Sequence, residues 1–103
     1  MNIISRSFDG KEVRVTTVDG VVYFVGKDVA EALEYSNTRD AIANHVWDEY
    51  KNTVAIYDGS QNRSMVCISE QGVYQLVFGS RKPEARRFQK WVIEDVLPSI
   101  NGT

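Results

Sequence analysis

One cysteine, one histidine and two prolines are all that this 103-residue chain has of those residue types. Each scarcity excludes something. A lone Cys67 forbids an internal disulfide framework and any multi-cysteine zinc site, and a lone His45 forbids a paired-histidine metal site. Gly26-Lys27 lacks the further glycines and the Ser/Thr of a phosphate-binding loop. Cys67 sits in the run Met65-Val66-Cys67-Ile68, where it reads as a small buried hydrophobe rather than a nucleophile. Carboxylates are plentiful, but nothing in their spacing pairs two of them in a pocket. The expectation is therefore a protein with no catalytic residues, no metal and no cofactor. No apolar run approaches the roughly 18 residues that cross a membrane, and no signal-peptide pattern opens the chain, so a cytoplasmic setting without membrane contact is expected. An excess of positive charge is also missing. Twelve Lys+Arg against 14 Asp+Glu leave a net charge of −2, which argues against a sequence-independent DNA binder with a broadly basic surface.

What is present fits one globular domain spanning residues 1–103. Hydrophobic residues make up 43% and charged residues 25%, too apolar a mixture for a disordered chain. A chain of this length buries roughly two-thirds of its unfolded surface, enough for a core without staples. The charge is unevenly spread. Residues 1–80 hold seven cations and eleven acids, whereas residues 81–103 hold five and three. All five late cations, Arg81, Lys82, Arg86, Arg87 and Lys90, fall within a stretch containing one acid, Glu84.

Two Asp-Gly pairs, Asp9-Gly10 and Asp19-Gly20, separate runs rich in β-branched and aromatic residues. Both residues of such a pair tolerate the positive φ of a type I′ turn, so Ile3 to Phe8, Val13 to Val18 and Val21 to Val25 predict a three-stranded antiparallel meander. The pattern then changes period. Val29, Ala30, Ala32 and Leu33 predict a short helix with Asp28 in its first turn. After Tyr35-Ser36-Asn37-Thr38, with Ser36 or Thr38 as the N-cap, Ala41, Ile42 and Val46 predict a second over 37–47. Thr53 to Tyr57 and Ser64 to Ile68 predict a later hairpin around the polar loop Asp58 to Asn62. Ser69 and Glu70 open a third helix with apolar positions Val73, Tyr74, Leu76, Val77 and Phe78, closed by Gly79. Ser80 caps the last helix, with Pro83 in its first turn and Pro98 at its end. The order β-β-β-α-α-β-β-α-α is that of an α+β fold with about four helices.

Two short helices joined by a brief turn have the outline of a helix-turn-helix. The second helix would present Asn37, Arg39 and Asn44, side chains that bond base edges or phosphates. The turn residue is Glu34 where glycine is usual, and the same pattern fits a helical pair packed on a sheet with no ligand. The basic run also has two readings. Glu84 with Arg87, and Lys90 with Glu94, have spacings for pairing on a solvated helix face. Arg81, Lys82 and Arg86 lack such partners and are the better phosphate ligands.

An ordered set of fragments runs nearly end to end. It includes Phe24-Val25-Gly26-Lys27-Asp28-Val29-Ala30, Ala32-Leu33 with Tyr35-Ser36-Asn37, and Ala41-Ile42 with His45-Val46. It continues through Ile68-Ser69-Glu70, Gly72-Val73-Tyr74, Ser80-Arg81-Lys82-Pro83-Glu84-Ala85, Trp91-Val92 and Val96-Leu97-Pro98. In these the chain resembles the BRO N-terminal domain of bacteriophage antirepressors and baculovirus repeated-ORF proteins. It departs from that pattern at Glu34, usually glycine, and at Ile100-Asn101-Gly102-Thr103, where basic residues usually follow. The resemblance implies a DNA-binding regulatory domain, tied in phages to relief of a lysogenic repressor inside the bacterial host. DNA is then the expected partner, through Asn37, Arg39, Asn44 and the cations at 81–90. The alternative is a protein-interaction module that binds a phage repressor or self-associates without touching DNA.

Overall fold

The computed structural model describes residues 3–100; the remainder of the expected 1–103 span lies outside the described residues. Both Asp-Gly pairs form the turns expected of them, with Asp9 and Asp19 at φ 52° and Gly10 and Gly20 at φ 80°. Positive φ at both central positions is the type I′ condition, and it matches the twist of the strands it joins. Strands β1 (Ile3–Phe8), β2 (Lys11–Val18) and β3 (Val21–Val25) therefore form a tight antiparallel meander. Helices α1 (Gly26–Ala32) and α2 (Thr38–His45) follow, then a 3₁₀ turn (Asp48–Tyr50) and the hairpin β4 (Lys51–Tyr57) with β5 (Asn62–Ser69). Helix α3 (Glu70–Gly79) precedes α4 (Glu84–Trp91), which runs through a π turn (Val92–Val96) into α5 (Leu97–Ile100). The fold is α+β in the expected order, the last three segments forming one rod. The hairpin does not stand apart from the meander. β3 pairs with β5 through Tyr23↔Ser69, Phe24↔Ile68 and Val25↔Cys67, closing a five-stranded antiparallel sheet of order β1-β2-β3-β5-β4.

The main core lies between this sheet and the helices. Val13, Val15, Phe24 and Ile68 from the strands meet Val29, Leu33, Val73, Leu76, Phe88 and Val92, all 0–1% exposed. A smaller cluster of Val25, Val54, Ile56 and Cys67, with Ile3, Val18, Tyr23 and Met65 packed on it, is drawn from strands alone. No apolar helix side chain joins it among the described residues. Cys67 belongs here, fully buried, and burial pushes its thiol up to about 11. Among the described residues, no helix is long and apolar enough to cross a membrane.

Helix ends differ from expectation in four places. The N-cap of α2 is Asn37, whose Oδ1 accepts from the Asp40 N–H at 3.0 Å, rather than Ser36 or Thr38. Ser80 does not cap α4: its Oγ accepts from the Lys82 N–H at 3.2 Å in the preceding loop, and Pro83 stands just before the helix. Gly79 ends α3 without a left-handed conformation; what requires glycine is His45, whose ring atoms lie 2.6–2.9 Å from where a Cβ would sit. Pro98 does not end the last helix, which continues to Ile100. The π turn widens the backbone just ahead of it, where a regular α-turn would drive the ring into the carbonyl four residues back.

Glu34 does occupy the left-handed position, at φ 65°. Tyr35 N–H donates to Ala30 O at 3.0 Å and Glu34 N–H to Glu31 O at 2.9 Å, the two bonds of a Schellman cap on α1. A side chain in this conformation is strained. Glu34→Gly should therefore stabilise the domain by about 1 kcal/mol, less the entropy glycine adds to the unfolded chain. A rise in urea midpoint at unchanged slope is the expected readout; a fall would mean the Glu34 side chain contributes contacts that outweigh the strain.

Candidate nucleic-acid interface

Helix α1 is anchored by a charge pair whose partners are fourteen positions apart. Pairing of β2 with β3 stops at Val15↔Phe24, and beyond it the Arg14 N–H donates to Asp28 Oδ2 at 3.0 Å. The Arg14 side chain adds Nε to Oδ2 at 2.8 Å and Nη2 to Oδ1 at 2.9 Å. The hydrogen-bonded carboxylate raises the Arg14 pKa further. Asp28, in the first turn of α1, thus fixes that helix to the sheet. The Schellman cap then redirects the chain into α2.

Two contacts fix α2 against α3. Tyr35 Oη donates to the Leu76 carbonyl at 2.8 Å, and the Tyr35 and His45 rings lie 5.6 Å apart. His45 in turn packs on the bare backbone of Gly79. The C-terminal ends of the two helices are thereby held together, which sets Asn44 beside the end of α3 at Phe78 and Gly79. Trp47 follows, its N–H donating to Gln75 Oε1 at 3.0 Å and its ring stacked on Tyr50 at 5.8 Å.

Seven of the eight residues singled out in the sequence fall into three groups, and Asn37 stands apart from them. Asn44 lines a shallow hollow of about 470 Å³ with Trp47 and Gln75, while Lys82 and Arg86 line a second of about 490 Å³ with Gln89. The two hollows share Tyr74 and Phe78, so they form one continuous surface. Arg81, Lys82 and Arg86 are exposed and carry no ion pair among the described residues. Arg87 and Lys90 occupy another side of α4, in a hollow that includes Asp9, Glu94 and Asp95. Arg87 pairs with the Asp9 carboxylate through both terminal nitrogens and lies 5.0 Å above the Phe8 ring. That bond pulls the Asp9 pKa down and the Arg87 pKa up. Arg87 is thus held by the first hairpin turn rather than by Glu84. Arg39 lies in a third hollow, with Lys27 and Lys51. Asn37 uses its side-chain oxygen as the α2 cap, leaving its amide donors.

Sequence reasoning missed the aromatic part of this surface. Sequence spacing groups Phe78 with the apolar positions of α3, yet it is 93% exposed, and Trp47 is 60% exposed. The signal was available: at about 100° per residue, Phe78 falls on the side of the helix opposite Val73 and Leu76. Lys27 and Lys51 were missed because only a tertiary contact brings them to Arg39. Among the described residues, no group of three or more His, Cys, Asp or Glu is placed to hold a metal ion.

Comparison with known proteins adds a family. The model of the BRO family, N-terminal domain, matches residues 12–98. An uncharacterized protein of Haemophilus influenzae is 36% identical over 94% of this chain and 50% of its own length. The putative Bro-N domain-containing protein 289L of Invertebrate iridescent virus 6 is 35% identical over 82% of this chain and 24% of its own. The Bro-N domain-containing protein J of Lymantria dispar multicapsid nuclear polyhedrosis virus is 30% identical over 77% and 24%. The chain thus spans between a quarter and a half of the length of these relatives. No solved structure matches it.

Proposed function

The chain belongs to the BRO N-terminal domain family, and on that premise we propose that it is a DNA-binding regulatory domain of a phage or prophage antirepressor-like protein. It acts by binding rather than by catalysis, in the cytoplasm of a bacterial host. The observation that carries this reading is the grouping of Arg81, Lys82 and Arg86, exposed and without ion pairs among the described residues, on a protein of net charge −2. Cations left unpaired in an acidic protein are where phosphates are bound most readily, because each contact releases condensed counterions. Lys82 and Arg86 adjoin a surface that reaches Asn44, whose amide offers the paired donor and acceptor suited to an adenine edge.

Replacing Arg81 and Arg86 together by Ala should weaken retention of every duplex tested by about tenfold in a low-salt gel shift, since phosphate contacts carry no sequence information. Asn44→Ala should instead narrow the difference between preferred and unrelated duplexes. Equal retention by the double variant and the parent would remove the basic cluster from the interface.

A second reading rests on Trp47 and Phe78, 60% and 93% exposed on the same surface. Aromatic side chains of this kind anchor protein interfaces, here with a repressor or a second copy. Under that reading no duplex is retained at any salt concentration, and Phe78→Ser abolishes the protein–protein contact.

A further inference from the structure

We propose that the hollow between α2 and β5 is a docking site for an extended acidic peptide that adds to the sheet as a strand. The edge is created by the fold itself. β5 has β4 beside it from Asn62 to Ile68, through Tyr57↔Asn62 to Lys51↔Ile68, but β3 pairs with it only at Cys67–Ser69. Past Val25 the chain leaves the sheet as α1, so residues 63–65 of β5 have neither a strand nor Gly26 on that side. Val66 O faces this side too but lies against Gly26, 3.1 Å from where a Cβ there would sit, so the open stretch begins beyond Val66. Backbone groups alternate in direction along a strand, so those of Ser64 face the same way.

The space beside this edge is about 530 Å³, with α2 as its other wall. Its apolar lining comes from Ile42, Met65 and Val66, and its charged lining is Lys27, Arg39 and Lys51, with no carboxylate among the lining residues. Arg39 has no ion pair among the described residues. Lys27 is 3.9 Å from Glu31 and Lys51 3.3 Å from Asp48, and both acids are well exposed. Such solvated pairs contribute little, so a ligand carboxylate replaces them at small cost. Three cations on a protein of net charge −2 select an anionic occupant. The free strand edge and apolar lining select an extended peptide over a duplex. Main-chain hydrogen bonds supply affinity in strand addition, and alternate side chains supply specificity. In a peptide of alternating acidic and β-branched residues, one set meets the cations and the other the apolar lining.

The test uses the isotope-labelled domain titrated with a short capped peptide alternating Glu and Val, followed by amide chemical shifts. Saturable shifts centred on Ser64 and Val66 are expected. Charge reversal by Arg39→Glu with Lys51→Glu should weaken binding by about tenfold or more. On the unaltered protein, peptides N-methylated at alternate residues provide a second test. Methyl groups in the frame facing β5 abolish binding, and those in the opposite frame leave it intact. The proposal is overturned if no shifts arise up to millimolar peptide, or if both methylated peptides bind like the parent. It is also overturned if duplex DNA, rather than the peptide, shifts the Ser64 and Val66 amides. Loss of the Arg81 and Arg86 contacts to DNA would leave every one of these outcomes unchanged.

Discussion

Phe88→Ala is expected to lower the unfolding free energy by about 3–5 kcal/mol, a large fraction of what a domain of this size possesses. Phe88 is fully buried on α4 and meets Phe8 of β1 edge-to-face, with ring centroids 5.1 Å apart and planes at 84°. Trp91 completes the group, 5.5 Å from Phe88 and 5.2 Å from Phe8. Such aromatic pairs contribute about 0.5–1.5 kcal/mol beyond the apolar area they bury. The truncation removes this term as well as the transfer term, and it leaves a cavity bounded by a rigid strand. Urea unfolding checks it. A loss below about 1 kcal/mol would mean that the last helical rod is not fixed to the sheet through these rings.

Asp28→Ala is expected to cost about 3 kcal/mol, toward the low end of the range for a broken buried pair because the Arg14 side chain keeps 20% of its exposure. Asp28 is only 6% exposed and accepts three hydrogen bonds from Arg14, one of them from the backbone. Removing the carboxylate strands the main-chain N–H and leaves the guanidinium only the more distant, exposed Glu12, at 3.9 Å. Asp28→Asn should cost less, since its side-chain oxygen still accepts from the Arg14 N–H. Equal losses in the two variants would show that the backbone contact contributes nothing. A double-mutant cycle with Arg14→Ala should return a coupling of about 1–3 kcal/mol, as for residues in one hydrogen-bond network.

The contrast between these two sites explains what was legible in the sequence. The Asp-Gly turns and the change of period after the third strand are local signals, and each corresponds to a feature of the fold. Asp28 was legible only as a first-turn carboxylate. Its actual partner comes from β2, and no spacing rule reaches across two strands. Arg87 is the same case in sharper form: helical spacing offers Glu84 as its partner, whereas the fold delivers Asp9 from 78 positions away. Helix ends failed for another reason. Ser36, Asn37 and Thr38 are all good caps, and the choice among them depends on where α2 meets α1 and α3. Pro98 was misread because a π turn, invisible to a wheel built on a regular α-helix, absorbs it. The candidate interface was legible in its charges and not in its aromatics. Unpaired cations stand out in composition, but Trp47 and Phe78 look like core until the surface is assembled around them.

Binding of the domain to a duplex, measured by fluorescence anisotropy across a series of salt concentrations, tests the central claim most directly. Three cations contacting three phosphates predict a slope of log K against log salt of about −2.7, and replacing Arg81 and Arg86 by Ala should reduce it by roughly two units. No binding at the lowest salt, or binding that salt leaves unchanged, would contradict the account.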